Sequence, residues 1–389
     1  MNPTMIVALA QMGVAGGVAL VSGWWTVLAI IALPRPQEPR SRNASPLKMS
    51  VIVPAHNEEA LIAQTVRSLR EAGSQVAPEP GVLVIADNCS DGTEVEAANA
   101  GAHVLVRTSE TQRGKSFALE FALAHLRDAP EPPEAVVFVD ADTTVSENFF
   151  TCIAHRLQSG AEAVQVHYEA APGDTAVSRL RRLAFGLVHW SRPLGASRLG
   201  LPTTLKGNGM AFRWPVIQDG FPGVGITEDA AATLALAERG TVIHFEPRAT
   251  VSGLMATSYG EASVQDERWE GGRLGMAPRS LLVGIRLLAR GEVRAAGAAF
   301  ELASPPLTLV VAGAAVSLAI AVAGAGSLLL GAVATGLSAS YVAIGLIAAR
   351  AAREDLAAMV HVPRFVLHKM VSYGRLIRGQ PKTWERTAR

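Results

Sequence analysis

Ala135–Thr143 reads AVVFVDADT, and the reading of the fold starts there. Val136, Val137, Phe138 and Val139 make a short apolar run without polar alternation. That is the composition of a strand buried on both faces, and so of a parallel one. The run ends in two aspartates one residue apart. In an extended chain residues i and i+2 point to the same side, so Asp140 and Asp142 can face one ligand. Open α/β sheets bind ligands at the carboxyl ends of their strands. Two hard oxygen donors side by side suit Mg²⁺ or Mn²⁺, which a protein holds by one or two carboxylates while substrate phosphates complete the shell. A polar turn after a strand is the plain alternative, and the neighbouring sequence has to decide between the two.

On the amino-terminal side, Met49–Val53 is a short apolar strand and Pro54–Glu59 (PAHNEE) a turn. Ile62, Val66 and Leu69 then share one face of a helix that Gly73 ends. Val82–Ala86 is a second strand, running into DNCSDGT at Asp87–Thr93. The next helix ends near Gly101, His103–Arg107 is a third strand, and Arg113-Gly114-Lys115 opens a helix with Phe117, Phe121 and Ala124 on one face. A Pro-rich loop, Asp128–Glu134, leads back to Ala135. Strands alternating with helices predict a parallel sheet covered on both faces. No G-x-G-x-x-G follows the first strand, which argues against a dinucleotide-binding domain.

Beyond Asp142 the pattern loosens. Ala163–Tyr168 reads as a strand, and Thr175–Trp190 as a helix whose basic face holds Arg179, Arg181 and Arg182. Gly207-Asn208-Gly209 is a tight turn. Thr227-Glu228-Asp229 opens a helix running to Gly240, and Thr241–Glu246 is a strand. Gln265–Trp269 begins another helix. Arg279–Phe300 is basic and amphipathic, with Arg286, Arg290 and Arg294 at i, i+4 and i+8; such a helix lies in a headgroup region or on a solvated domain surface.

The 389 residues hold 35 Lys+Arg against 34 Asp+Glu, a formal net charge of +1. Nothing in that balance points to nucleic acid. Hydrophobic residues make up 49% of the chain and the mean hydropathy is +0.25. The apolar excess is concentrated, because Met5–Leu33 and Leu307–Ala349 hold no charged residue. The first run has the length of a tilted spanning helix, with Trp24 and Trp25 placed for an interfacial belt. A cleaved signal peptide fits poorly: no Lys or Arg precedes the run, and it is too long. The second run exceeds one span and divides near Ala323–Ser327 into two. Arg35, Arg40, Arg42 and Lys48 follow the first run, and Arg350 and Arg353 follow the second. They predict a multi-pass membrane protein with an outside N-terminus and a cytoplasmic catalytic domain and C-terminus. Arg364, Lys369, Arg375 and Arg378 make the tail a membrane-surface or domain-packing segment. Cys89 and Cys152 lack metal spacing and are expected as free thiols in a reducing compartment.

Six pieces now stand in order: VIVPAHNEE at Val51–Glu59, DNCSDGT at Asp87–Thr93, RGKSFAL at Arg113–Leu119, VDAD at Val139–Asp142, TED at Thr227–Asp229 and QDERW at Gln265–Trp269. Together they resemble the family 2 glycosyltransferases. The likeness is to the membrane-integrated branch with cellulose, hyaluronan and poly-N-acetylglucosamine synthases and ceramide glucosyltransferases. It covers Met49 to about Arg279. The resemblance implies an α/β GT-A fold with flanking transmembrane helices. It implies inverting transfer of a glucose- or N-acetylglucosamine-type unit from a UDP-sugar, with Mg²⁺ or Mn²⁺, to a lipid or growing polysaccharide at the membrane. Pro54, Ala55 and Glu58 would then line the nucleotide pocket, and Asp87 would accept hydrogen bonds from uracil. Lys115, at a helix start, would meet the diphosphate. Asp140 would contact the nucleotide and Asp142 hold the metal ion. Asp229 would be the general base that takes the acceptor's proton. Arg268 would neutralise the leaving diphosphate and Trp269 stack on the acceptor sugar, with Glu228 and Gln265 completing the substrate contacts.

Each role has a plain alternative. Asp87 and Asp91 suit a turn, Lys115 an exposed surface, and Thr227–Asp229 a helix cap with acids in its first turn. Two departures from the pattern stand out: GNGM at Gly207–Met210 is unlike the corresponding loop of cellulose synthases, and QDERW carries acids where relatives carry bases. The expected segments are a spanning helix (1–33), a basic linker (34–48), the transferase domain (49–278), an interface helix (279–304), a spanning hairpin (305–349) and a basic tail (350–389). Three spans without an ionisable residue are few for a polysaccharide conduit. That favours an acceptor at the membrane surface over a processive exopolysaccharide synthase, which would need an export partner or a homo-oligomer. An inactive nucleotide-sugar-binding scaffold is disfavoured by the intact acids and Arg268. A sugar nucleotidyltransferase is disfavoured because PAHNEE stands where such enzymes carry a Gly-rich basic loop.

Overall fold

A computed structural model describes residues 2–36, 46–223, 225 and 227–378. Arg40 and Arg42, which carry much of the expected linker charge, lie outside the described residues. The chain opens with the apolar helix α1 (Pro3–Ala32). It then alternates: β1 (Met49–Ala55), α2 (Ile62–Gly73), β2 (Gly81–Asp87), α3 (Thr93–Asn99), β3 (His103–Arg107), α4 (Lys115–Arg127) and β4 (Ala135–Phe138). The second half holds β5 (Thr143–Val145), α5 (Phe149–Gln158), β6 (Ala163–Ala170), α6 (Ala176–Phe185), α7 (Arg192–Arg198), β7 (Met210–Arg213), α8 (Trp214–Ile217), α9 (Glu228–Glu238) and β8 (Ile243–Gly253). Six helices follow: α10 (Tyr259–Ala289), α11 (Val293–Ala303), α12 (Leu307–Val322), α13 (Leu328–Ala349), α14 (Arg353–Ala357) and α15 (Val362–Arg378).

The strands form one sheet in the order β3-β2-β1-β4-β7-β6-β8-β5. β3, β2, β1 and β4 are parallel, as the alternation predicts. β7 is not. It pairs antiparallel with both β4 and β6, which corrects the all-parallel expectation to a mixed sheet of the GT-A kind. The reason is the approach: the loop before β7 crosses the carboxyl edge of the sheet, where the Gly209 N–H donates to the Phe138 carbonyl. A strand entering from that edge runs opposite to β4 and needs no crossover helix. Alternate residues of β1 face opposite layers. Val51 and Val53 join α2 and α5 in one core, and Ile52 joins α4, Phe138, Phe212 and Phe221 in the other.

Several helices differ from the sequence reading. In α4 the buried stripe is Ala118, Leu119, Ala122, Leu123 and Leu126, while Phe117 and Phe121 are exposed. Both stripes satisfy helical spacing, and the one rich in alanine permits the closer approach to the sheet. The helix expected to run to Trp190 loosens into a π-helical turn at Gly186–Ser191 before α7. Its arginines form no basic face. Arg181 is buried against Asp266, Arg182 pairs with Asp355, and Arg179 donates to the carbonyls of Gly173 and Glu354. Gln265–Trp269 lies inside α10 rather than at its start. The amphipathic helix expected over 279–300 is two pieces: α10 runs unbroken through Pro278 and ends at Ala289, and α11 begins after Gly291, whose φ is +77°.

α1, α12 and α13 pack together beside the sheet. Gln11 ties the three, donating to the carbonyls of Ser317 and Ser327 and accepting from the Ser327 N–H. Ser22 lies 2.8 Å from Ser338 and Trp25 packs on Tyr341, so α1 and α13 run parallel. By length and hydropathy, Pro3–Ala32 and Leu328–Ala349 each suffice to cross a membrane. The expected third span is short and bent: α12 has 16 residues and has the length of a crossing only together with α11, across a bend of 68°. Trp25 is fully buried and belongs to no interfacial belt. The Arg192 guanidinium stacks 3.8 Å from its ring centre, donates to the Tyr341 hydroxyl at 3.0 Å and to Glu301 at 3.1 Å. A Cβ on Gly195 would lie 2.2 Å from the Leu28 carbonyl oxygen, so α7 meets α1 backbone to backbone.

Candidate active site

A cleft of about 1280 Å³ opens over the carboxyl ends of β1, β2 and β4. β4 stops at Phe138, and Asp140 and Asp142 reach the cleft through the turn that follows. The pleat argument for their shared direction therefore does not apply, although both line the cleft as expected. Lys115 opens α4 directly after Gly114, whose φ of +117° suits glycine. Its ammonium lies 2.5 Å from Asp140, donates to the Gly207 carbonyl at 2.6 Å and stands 3.5 Å from Glu228. The reading of Lys115 as a surface residue is thereby excluded.

The carboxylates crowd one another. Burial pushes Asp140 up from the ordinary carboxylate range, Lys115 pulls it back, and Asp142 pushes it up again. Burial also pushes Glu228 up to about 7, against the pull of Lys115. Asp229 is raised by burial, tempered by the Ala230 N–H and by Lys115 and Lys206. Burial alone would lower the Lys115 ammonium, but Asp140 and Glu228 outweigh it and hold it above its usual value. Thr227 makes no side-chain cap on α9, so the capping alternative loses its main residue, while Glu228 and Asp229 do occupy the first turn. Among the described residues no three His, Cys, Asp or Glu side chains converge as a complete metal cage.

The GNG turn has a structural task. Asn208, fully buried, accepts from the Asp140 N–H at 3.1 Å and donates to the Thr143 hydroxyl at 2.8 Å, gripping the chain on both sides of Asp142. Gln165 holds the turn from below, donating to the Asn208 carbonyl and accepting from the Lys206 N–H, both at 2.8 Å. Gly209 has φ +66°, and a Cβ there would meet Val166 at 2.4 Å.

Pro54, Ala55, Glu58 and Asp87 line the other end of the cleft. One Asp87 oxygen, Oδ1, takes both the Arg107 guanidinium at 2.5 Å and the Asn88 amide at 3.0 Å. His56 Nδ1 donates to the Asp87 carbonyl at 2.7 Å. Asp91 is the turn former of the pair, accepting from the Thr93 N–H and hydroxyl and the Glu59 N–H.

α10 supplies the facing wall with Gln265, Arg268 and Trp269. The charge of Arg268 acts on Asp140. Gln265 and Asp266 both accept from Arg181, at 2.5 and 2.7 Å. Trp269 stands beside Phe185 and under the same guanidinium. The unusual acids of QDERW find cations of this chain: Asp266 pairs with Arg181 and Lys369, and Glu267 with Arg375 of α15. Sequence reading missed Asn208, Gln165, Arg107, His56, Lys206 and Arg273. Only Asn208 carried a signal, as the residue between two glycines.

The model described as "Glycosyltransferase like family 2" matches residues 46–272, more than half of the chain. The chain belongs to glycosyltransferase family 2. Glycosyltransferase AglJ of Haloferax volcanii is 29% identical over 152 residues, which are 37% of this chain and 46% of that relative, so the match spans less than half its length. Among solved structures, the mannosyltransferase PcManGT from Pyrobaculum calidifontis, in complex with GDP-Man and Mn²⁺, aligns over 92% of this chain and 98% of its own. The TM-score is 0.55 at 20% identity, a likeness of fold. Glucosyl-3-phosphoglycerate synthase from Mycobacterium tuberculosis, with Mn²⁺, UDP and phosphoglyceric acid, is more distant at TM-score 0.38 and 21% identity over 60% and 84%.

In this family 2 glycosyltransferase Asn208→Ala leaves the buried Asp140 N–H and Thr143 hydroxyl without their partner. We expect a loss of about 1–3 kcal/mol in stability, seen as a lower Tm in detergent, together with a raised donor KM. An unchanged Tm and KM would remove Asn208 from the site's support.

Proposed function

We propose that the protein is an inverting hexosyltransferase, moving a glucose- or N-acetylglucosamine-type unit from a UDP-sugar to a hydroxyl of a membrane-associated acceptor with formation of a β-glycosidic bond. One observation carries this reading: a single cleft gathers Asp140, Asp142, Lys115 and Arg268 together with Asp229. Asp87 supports a uracil base: Arg107 and Asn88 bond to its Oδ1, and Oδ2 is an acceptor for a ring N–H such as uracil carries. In the step proposed, the acceptor oxygen bonds to the anomeric carbon from the face opposite the diphosphate. Its proton passes to Asp229 Oδ, and the bond to the diphosphate oxygen breaks with its electron pair. Lys115 and Arg268 meet the charge that develops on the leaving group.

Asp140 and Asp142 fit a divalent ion. They are hard oxygen donors in one cleft, and the charge of Asp142 pushes Asp140 up, a repulsion that a divalent ion would relieve. Mg²⁺ or Mn²⁺ bound there would supply charge neutralisation of the diphosphate. The apolar helices support a membrane location, and the reading of the cleft as cytoplasmic rests on the cations that follow them in sequence, Arg35, Lys48, Arg350 and Arg353. The polar groups buried between them, Gln11, Ser22, Thr26 and Ser338, bond to one another and to backbone rather than lining a path.

Asp229→Asn should keep UDP binding and lower kcat by roughly two to four orders of magnitude. Because burial raises Asp229 and the base acts only when ionised, kcat of the unaltered enzyme falls with decreasing pH above the usual aspartate range. The residual activity of Asp229→Asn should lack that limb. If the variant matches wild type, Asp229 is not the base.

Asp142→Ala, or excess EDTA, should abolish transfer. Full activity in EDTA sinks the metal assignment.

Because α1 and α13 run parallel, cysteines placed at Thr4 and Gly324 should react with an impermeant thiol reagent on intact cells, and one at Glu131 only after lysis. Labelling of Glu131 on intact cells reverses the topology.

A further inference from the structure

Past Asp229 the cleft continues to a second group of cations that the transfer step does not use. Lys206 stands on the turn before Gly207, its backbone fixed by Gln165 and its ammonium 2.8 Å from the Thr204 hydroxyl. Arg273, one turn of α10 beyond Trp269, donates from Nη2 to the Glu301 carbonyl at 2.7 Å, while its buried Nε has no partner. Glu301 is bonded at 3.1 Å by Arg192 and lies 3.9 Å from Arg273, and Asp229 acts on both Lys206 and Arg273 from the catalytic side. Glu301 is thus shared by two guanidiniums. Burial and then Arg273 push the Lys206 amine down to about 8, and burial lowers Arg273, with Arg192 lowering it further against the pull of Glu301.

These cations are separate from those of the donor end. Lys206 feels Arg273, Glu301, Arg192 and Asp229, and Lys115 feels Asp140, Glu228 and Asp229. Asp229 is the member common to both sets, as a base between donor and acceptor would be. The lining also holds the apolar Leu302, Pro306, Leu307 and Phe365, with Lys369, paired to Asp266 and Glu270, over the Phe365 ring. Leu307 is the first residue of α12, so this end of the cleft is built from the helices that pack with the spanning pair.

We propose that Lys206 and Arg273 form an anion subsite for the acceptor, a lipid whose phosphate lies beside the hydroxyl presented to Asp229 and whose apolar chain follows Leu302, Pro306 and Leu307. This rests on the reading of the cleft as a transferase site with Asp229 as base. A half-buried cation pair with an orphaned guanidinium N–H gains charge-assisted hydrogen bonds from a phosphate, and an uncharged hydroxyl lipid offers it no anion.

The full-length protein in neutral detergent allows the test by binding alone. Short-chain phosphatidylglycerol should bind at least about tenfold more tightly than diacylglycerol of equal chain length. Inorganic phosphate should displace it from the unaltered protein. Lys206→Met and Arg273→Gln should erase the preference and Lys206→Arg restore it, with UDP affinity kept in each as proof of an intact fold. Equal binding of diacylglycerol, absence of competition by phosphate, or a preference that survives in a folded Lys206→Met variant overturns the proposal. Glycerol 1-phosphate binding as tightly as phosphatidylglycerol overturns its lipid half in favour of a soluble phosphate. Failure of UDP to bind the unaltered protein would instead count against the transferase reading, since the lipid preference is read without turnover.

Discussion

The Lys115 ammonium is the point on which the catalytic half closes. It joins Asp140 after β4, the Gly207 carbonyl of the turn before β7 and Glu228 at the start of α9, three segments far apart in sequence. A lysine so enclosed is stable only while its counter-charges stay in place, because breaking one side of a buried pair leaves the other uncompensated. The mixed sheet is the geometric side of the same arrangement. β7 enters from the carboxyl edge, and that entry brings Gly207 and Asn208 over Asp140. Were β7 parallel, the turn would fall at the opposite edge, and Lys115 would face Asp140 without the carbonyl or the Asn208 grip.

Much of this was legible in the sequence because strand ends in this fold announce themselves. Apolar runs breaking into PAHNEE, DNCSDGT and VDADT placed Pro54, Asp87 and Asp140 at one edge, and the cleft holds all three. Hydrophobic periodicity marked α2 closely. It failed where two solutions share a period. In α4 the Phe117 stripe and the Ala118–Leu119 stripe are equally regular, and only the distance to the sheet chooses. β7 is four residues, too short for any period to declare its direction. Arg181 read as one of a basic face because its counter-charge, Asp266, lies 85 residues away; long-range ion pairs have no local signature. The same pair explains why QDERW departs from its relatives, since those acids answer Arg181, Lys369 and Arg375. Trp25 misled for a related reason, since an aromatic near the end of an apolar helix looks the same whether lipid or an arginine covers it.

α15 adds a layer that no motif suggested. Lys369 reaches Asp266 and Glu270, Tyr373 bonds to Glu270, and His368 to Ser263, all on the α10 segment that carries Gln265, Arg268 and Trp269. The last helix of the described chain thus braces the wall of the cleft and also lines it, with Phe365 and Lys369.

Arg192 connects the catalytic half to the apolar helices, with its charge enclosed by the Trp25 ring, the Tyr341 hydroxyl and Glu301. Dissolved ions screen exposed charge pairs strongly and enclosed ones little. Proteins that cling to a surface by exposed lysines and arginines wash off as ionic strength rises. Here the joint is stacked, hydrogen-bonded and dry, and Gly195 brings the two backbones into contact beside it. Salt therefore has almost no purchase on the junction. The sheet and the apolar bundle stay joined at ionic strengths that strip surface-bound proteins from their partners.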